Sequence, residues 1–538
     1  MQTRLRIAIA SAVLLALTAA LAMWRAHPQV DDSDTPVSLA NLKRHVSAIA
    51  AEPHPVGSEA NRRVRDYIIG ELEALGLAPE VQTGAMISMR GRGETVENIV
   101  CVIPGQSPGG SRGLLACHYD SHPAAPGAGD DANAVAGMLE VARLLVQSGA
   151  PRRDIVLLVT DGEEAGLLGA RIWVEQHADL MGCAVVANFE ARGTSGPAIM
   201  FETAGAPRGM FHDAYARTLQ PVTSSLAAAV YERMPNGTDF TVFRRAGMSG
   251  LNFAFIGGVE NYHTPNDDAA HLSDASLLHQ AQQMHAIATY FATASDAQWS
   301  ENDPDRAMGL VYFDVLSLFV IAYPQWLAWP LAILAMAAAL AGAYRQRTDF
   351  KALARGVAGH VLMLVIVVAW VHLLMQAPMD RAAIGAIVPA LAGAALLALA
   401  ALPWAGGKEE RGERGAISGM LLVMTPLVAM TTALLPAGSY VLTWPALLTG
   451  AAACLGDNRW RASAMALAGA VATLILLPLA WLVTQALTIR LLGVGAALLV
   501  MLLWTWRPAL APLLQKRWWT TGVCFVLAAG CFTLVLLT

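Results

Sequence analysis

Two adjacent carboxylates, Glu163 and Glu164, stand in the stretch TDGEEAGLLGA, directly after the apolar run DIVLLV. Like charges side by side repel, so a buried pair needs compensating positive charge. Further groups of the same kind recur along the chain. His118 and Asp120 close the run LLACHYD, Asp130 sits in the glycine-rich stretch PGAGDDANAVAG, Glu190 follows CAVVANF, and His263 falls in YHTPNDD after GLNFAFI. Imidazoles and carboxylates without thiolates suit zinc, with cobalt or manganese as lesser alternatives. A cation held by one glutamate of the pair supplies the missing charge, with its neighbour held beside it.

These residues act together only if the fold gathers them. LLACHY, DIVLLVT and CAVVANF read as strands, and NAVAGMLEVARLLVQS and LLGARIWVEQH as helices, in the order β-α-β-α-β. The first helix has Val135, Met138, Leu139, Ala142 and Leu145 at helical spacing, Asp131 or Asn133 available as a cap, and Gly149 with Pro151 beyond its end. Strands alternating with helices imply an α/β fold, a mostly parallel mixed sheet flanked by helices on both faces. In such sheets the site lies beyond the carboxyl ends of the strands, where each of the candidate residues falls.

Taken singly, each signal has a plainer reading. An HxD is more often a strand-end pair, two glutamates before a helix suit its dipole, Asp130 serves as a turn or cap residue, and Glu190 as a strand-end charge. It is their order along one sheet edge that points to metal. His54 and His122 read as loop histidines, His177 as a residue at a helix C-terminus, and Asp239 and Asp267 as supports behind the site. Arg192 reads as a structural ion pair or as a contact for a substrate carboxylate.

Of the 538 residues, 55% are hydrophobic, and the apolar excess lies in the second half. Residues 1–31 carry Arg4 and Arg6 before a long apolar run, the layout of a signal anchor, or alternatively of a cleavable signal peptide. Residues 32–305 read as an exported α/β domain and 306–538 as an all-α polytopic membrane domain of about eight helices. Their apolar cores lie near 325–343, 356–375, 382–404, 415–435, 438–455, 462–484, 490–506 and 519–537. Loop charge alternates accordingly. Arg345, Arg347, Lys351 and Arg355, then Lys408, Arg411 and Arg414, then Arg459 and Arg461, then Arg507, Lys516 and Arg517 fall inside, while outer breaks hold little beyond Arg381 and Arg490. This expects an integral membrane protein in a lipid bilayer, with a cytoplasmic N-terminus and a periplasmic domain at a bacterial inner membrane. His360 and His372 share one span, where ionisable groups are candidates for function. A net charge of −5 without a long basic run outside the membrane loops excludes nucleic acid as a partner. Cys101, Cys117 and Cys183 lie in apolar strand patterns as buried thiols, a bridge between the first two being compatible with export.

Over roughly residues 40–295, the text PHPVGS, HYDS, PGAGDDANAVAGMLE, DGEEAGLLGA, NFEARG and YHTPNDD resembles the co-catalytic di-zinc peptidases of clan MH. That clan takes in leucyl aminopeptidases, glutamate carboxypeptidases and glutaminyl cyclases. With an anchor before it and spans after it, the chain resembles the clan's membrane-bound branch of vacuolar and endoplasmic reticulum proteases. The resemblance implies two zinc ions, one on His118 and Glu190, the other on Glu164 and His263, with Asp130 bridging. It leaves Glu163 as general base, makes Asp120 the group that orients His118, and sets Tyr262 near a developing oxyanion. It also implies a cis peptide bond between Asp130 and Asp131, a rarity without proline. Glu190 stands where aminopeptidase members tend to have Asp, which leaves the direction of exopeptidase attack on a peptide substrate open, aminopeptidase ahead of carboxypeptidase. The alternatives are a glutaminyl cyclase-like transferase and an inactive peptidase-like receptor or transport protein.

Overall fold

The computed structural model describes residues 2–538 apart from 107–109, 178–183, 206, 235, 303–308, 376–391, 399–405, 407–409, 457, 488–491 and most of 516–538. The chain divides into two compact units. One joins Met1–Ala26 to Ala322–Thr538, and the other is His27–Ile321.

The first unit opens with helix α1 (Gln2–Arg25). Among the described residues, six helices are long and apolar enough to cross a membrane: Gln2–Arg25, Gln325–Arg345, Phe350–Leu373, Glu410–Leu434, Arg459–Gln485 and Gly493–Leu510. The expected span near 438–455 is the shorter apolar helix Tyr440–Ala453. Of the stretch near 382–404 only 392–398 is described, and most of 519–537, like Arg381, Lys408, Arg490, Lys516 and Arg517, lies outside the described residues. Small residues let these helices approach closely: a Cβ added to Gly356, Gly415 or Gly419 would strike the backbone of the facing helix. His360 is fully buried, its Nδ1 2.7 Å from the Gly356 carbonyl and its ring edge-on to Trp504, whereas His372 is exposed.

In the His27–Ile321 unit, α2 (Leu39–Ile49) and α3 (Glu59–Ala74) precede a hairpin of β1 (Glu80–Ile87) and β2 (Gly93–Ile103). Then β3 (Arg112–His118), α4 (Asn133–Ser148), β4 (Ile155–Thr160), α5 (Leu168–Gln176) and β5 (Ala184–Ala191) alternate as the periodicity predicts. After β6 (Ile199–Ala204), α6 (Ser225–Tyr231) and α7 (Asp239–Arg245) come β7 (Ser249–Phe255) and the long α8 (Asp274–Thr293). The seven strands form one mixed sheet in the order β1-β2-β4-β3-β5-β7-β6. The central four run parallel, and β1, β2 and β6 add antiparallel flanks.

Every residue of β4, β5 and β7 is buried, which is why these strands read as unbroken apolar runs instead of alternating ones. On one face Leu114, Val156, Leu158 and Val186 pack with Trp173 of α5 and with Phe240 and Phe243 of α7. Each such side chain contributes about 1.5–3 kcal/mol on burial. Beyond α8, Asp314 accepts the N–H of Thr223 at 3.0 Å and Ser225 bridges Tyr312, so the segment through Ile321 belongs with the sheet.

The cysteine reading is borne out with its bridged alternative set aside, and one local expectation is corrected. Cys101 and Cys117 are free buried thiols, because β4 runs between their strands: Cys101 pairs Leu157 and Cys117 pairs Val159. Cys183 lies outside the described residues. Neither Asp131 nor Asn133 caps α4, whose N-cap is Ala132 without a side-chain bond. Their side chains turn instead to the loop before the helix. His177 does end a helix, stacked on Trp173 with Nδ1 3.0 Å from its carbonyl.

Candidate metal centre

The carboxyl ends of the parallel strands deliver the candidate residues to one rim. His118 ends β3, and the turn Asp161–Leu167 after β4 carries both glutamates, bent by positive φ at Gly162, Gly166 and Leu167. The Asp120 carboxylate accepts the N–H of Glu163 at 2.9 Å and of Glu164 at 3.2 Å, tying the ends of β3 and β4 together. Asp130 is held from behind, where Asp267 accepts the N–H of Gly129 at 2.6 Å and of Asp130 at 3.3 Å. A Cβ at Gly129 would collide with the Gly193 carbonyl, so only glycine admits this close approach. Asp131 accepts the His118 N–H, Asn133 donates to Gly129 and Asp131, and the Asp130–Asp131 peptide is cis, as the resemblance implies. Behind Glu190, Asn188 donates to its Oε1 at 3.2 Å and Gln280 to its backbone carbonyl at 2.7 Å.

Two groups of donors result. His118, Asp130 and Glu190 offer atoms within 4.8 Å of one another, and so do Asp130, Glu164 and His263. Asp130 belongs to both, presenting Oδ1 to His118 and Oδ2 to His263. Glu163 belongs to neither.

Proton counting shows that this arrangement asks for a cation. Nδ1 of His118 lies 2.9 Å from the Asp120 backbone carbonyl, with the Asp120 carboxylate farther off at 3.5 Å, so Nδ1 carries the hydrogen. In the neutral ring Nε2 is then a lone pair, yet it faces Asp130 at 3.1 Å and Glu190 at 3.5 Å, acceptors both. Nε2 of His263 stands 2.8 Å from Glu164 and 3.2 Å from Asp130, and one N–H cannot serve both. Among the described residues Glu164 Oε1 has no hydrogen-bond partner apart from that imidazole. A divalent cation held among these donors would satisfy the unmatched atoms, and the mixed imidazole and carboxylate donors fit zinc.

Acid–base balance agrees. Burial alone would lower both histidines, but Asp120, Asp130 and Glu190 raise His118 well above its ordinary range, and Asp130 and Glu164 lift His263 to about 9. Burial followed by the charge of Glu190 pushes Glu163 well up, and burial followed by Asp130 takes Glu164 to about 8. Asp130 alone moves down, the two imidazoles outweighing its burial. Asp239, buried near Glu190 and hydrogen-bonded by the Thr160 hydroxyl, rises to about 7, and Asp267, buried beside Asp130, also to about 7. Histidines gain protons and glutamates keep them: the site draws positive charge in whatever form is supplied.

The remaining candidates fall out separately. Tyr262 stacks on His263 with ring centroids 3.7 Å apart, and burial raises its hydroxyl well above the ordinary range. Arg192 follows Glu190 by two residues, and its N–H donates to the Phe255 carbonyl. His54 is a buried loop residue, its N–H bound to Ser121 and its Nδ1 2.9 Å from the Glu52 carbonyl. His122, expected to be a plain loop histidine, lies against the His263 ring. Asn188 and Gln280 escaped sequence reading. The period of two that sets Asn188 on the same face of β5 as Glu190 was the one available signal for it.

Residues 98–288 match the model of the family described as Peptidase family M28. Endoplasmic reticulum metallopeptidase 1 of Rattus norvegicus is 33% identical over 237 residues, 43% of this chain and 26% of that protein. A vacuolar membrane protease of Kluyveromyces lactis is 25% identical over 353 residues, 60% of this chain and 38% of that protein. The chain thus spans between a quarter and two fifths of the length of these curated relatives. Among solved structures, an aminopeptidase from Aneurinibacillus sp. strain AM-1 has a TM-score of 0.39 and 15% identity, over 48% of this chain and 94% of that one. Both donor groups fall inside the matched segment, and residues 98–288 of this chain are a Peptidase family M28 domain.

Proposed function

We propose that the chain is an integral membrane zinc metallopeptidase, an exopeptidase whose site binds two zinc ions through His118, Asp130, Glu164, Glu190 and His263. The observation that carries this reading is the pair of donor groups sharing Asp130. Zinc held there supplies Lewis acidity toward a peptide carbonyl and toward water. Glu163, outside both donor groups and anchored through its N–H to Asp120, is the general base: its carboxylate takes the proton of the attacking water and passes it to the departing amine. Burial and the charge of Glu190 raise the proton affinity of Glu163, the direction that favours taking a proton from water. Asp120 holds the turn that presents Glu163 and, through its backbone carbonyl, orients His118. Tyr262, half-buried and stacked on His263, lines the side where an oxyanion develops.

Aminopeptidase action fits better than carboxypeptidase action. Asp239, whose charge is felt at Glu163 and which belongs to neither donor group, suits a substrate ammonium better than a substrate carboxylate. The apolar helices hold the M28 domain on a bilayer, with the domain on the periplasmic side of a bacterial inner membrane and the basic loops in the cytoplasm.

The test is full-length Glu163→Gln beside wild type, with zinc content and product analysis on a peptide library. Retained zinc with loss of hydrolysis by at least about a hundredfold is expected. Full hydrolysis by Glu163→Gln removes the assigned base, and a wild type that yields pyroglutamyl products without free amino acids replaces hydrolysis by cyclisation.

A further inference from the structure

The two imidazoles facing the donor carboxylates are fixed by different means. Nδ1 of His118 is bound to a backbone carbonyl, the usual device for aiming a metal-ligating histidine. Nδ1 of His263 has no such partner among the described residues. Its ring is clamped instead. His122 lies parallel to it with centroids 4.3 Å apart and planes 8° apart, and Tyr262 lies against it at 3.7 Å and 21°. Two rings so close and so nearly parallel cannot share one face of an imidazole without overlapping, so they occupy opposite faces.

Each half of the clamp has its own cause. His263 has a left-handed φ of 57°, which folds the backbone so that its ring lies over that of the preceding Tyr262. His122 arrives from the loop after β3, and that loop is itself anchored: Nδ1 of His122 accepts the Ala124 N–H at 3.2 Å, and Ser121 accepts the His54 N–H at 2.8 Å. The plane of the His263 ring decides whether Nε2 meets Asp130 and Glu164 or misses them.

We infer that His122 is a positioning residue: stacked opposite Tyr262, it holds the His263 ring in the plane that sends Nε2 to Asp130 and Glu164, the task a hydrogen bond performs for His118. This rests on the zinc-site reading above. It concerns the face of the His122 ring and not its nitrogens, which separates it from a ligand role.

The experiment compares full-length wild type, His122→Ala and His122→Phe by competition with a zinc chelator and by the rate of zinc loss, with thermal unfolding of the zinc-free proteins as the check on folding. His122→Ala should weaken one of two zinc classes about tenfold and leave the other unchanged, and His122→Phe, which keeps a flat ring, should restore most of the affinity. His122→Leu, similar in bulk without a flat ring, should behave as His122→Ala and serves where the alanine variant does not fold. Unchanged affinity in both His122→Ala and His122→Leu overturns the inference, and so does His122→Phe as weak as His122→Ala. A wild type that holds no zinc overturns this inference and the proposed function together, whereas zinc-binding wild type with indifferent variants overturns this inference alone.

Discussion

Replacing Asp120 with alanine isolates the role of the turn that carries Glu163. The Asp120 carboxylate is buried and accepts two backbone N–H groups, at 2.9 Å and 3.2 Å, from the two glutamates themselves. A hydrogen bond to a charged group contributes about 1.5–3 kcal/mol, so the two together amount to roughly 3–6 kcal/mol before the turn relaxes. If half of that falls on the placement of Glu163 during reaction, roughly 1.5–3 kcal/mol, turnover drops about ten- to a hundredfold, since 1.36 kcal/mol is one decade. Asp120→Asn keeps one acceptor oxygen but turns an amide donor toward the other N–H, and its activity should lie between the two. The assay is kcat and KM of the full-length proteins on one cleaved peptide, with zinc content measured on the same samples. The five proposed ligand side chains remain in Asp120→Ala, and the His118 Nδ1 contact runs to a backbone carbonyl that alanine retains, so zinc should persist while kcat falls. A variant within about threefold of wild type, or a loss of activity matched by equal loss of zinc, refutes the reasoning.

Removing zinc with a chelator should lower the thermal stability of the M28 domain, because acids crowded at one rim lose their compensating charge. At a free zinc concentration a thousandfold above Kd, each site contributes about 4 kcal/mol, and scanning calorimetry that finds no shift counts against metal binding. Asp267→Ala frees the N–H groups of Gly129 and Asp130 and should weaken zinc binding about tenfold, read by chelator competition; unchanged affinity would show that the loop holds Asp130 unaided. Asn188→Asp places a second carboxylate against Glu190 Oε1 and should weaken zinc and raise KM, whereas Asn188→Ala should do so less; the reverse order would deny that the amide acts as a donor.

Much of the sheet was legible because its central strands are buried on both faces and therefore carry continuous apolar runs, and because α4 and α5 show helical spacing between them. The rim was legible for the same reason: polar residues at the ends of apolar runs in a parallel sheet must emerge on one side. The reading failed where a side chain had a choice of partners. Asp131 and Asn133 looked like caps, yet a loop that must hold Asp130 took both, and α4 starts without a side-chain cap. Strand order was equally hidden. Nothing in the spacing of Cys101 and Cys117 tells that β4, later in the chain, slots between their strands.

By itself the sequence determined which histidines and carboxylates stand at the strand ends, that they leave the strands on one edge, and that long apolar segments follow, since composition and periodicity are local properties. Only the tertiary structure decided how those residues share the work: that Asp130 faces two imidazoles, that Asp120 grips the glutamate turn, and that His122 lies on His263. Those contacts join residues up to 141 positions apart along the chain (His122 to His263, 263 − 122) and depend on angles and distances of a few ångströms, which strand order and loop packing set and no local pattern encodes.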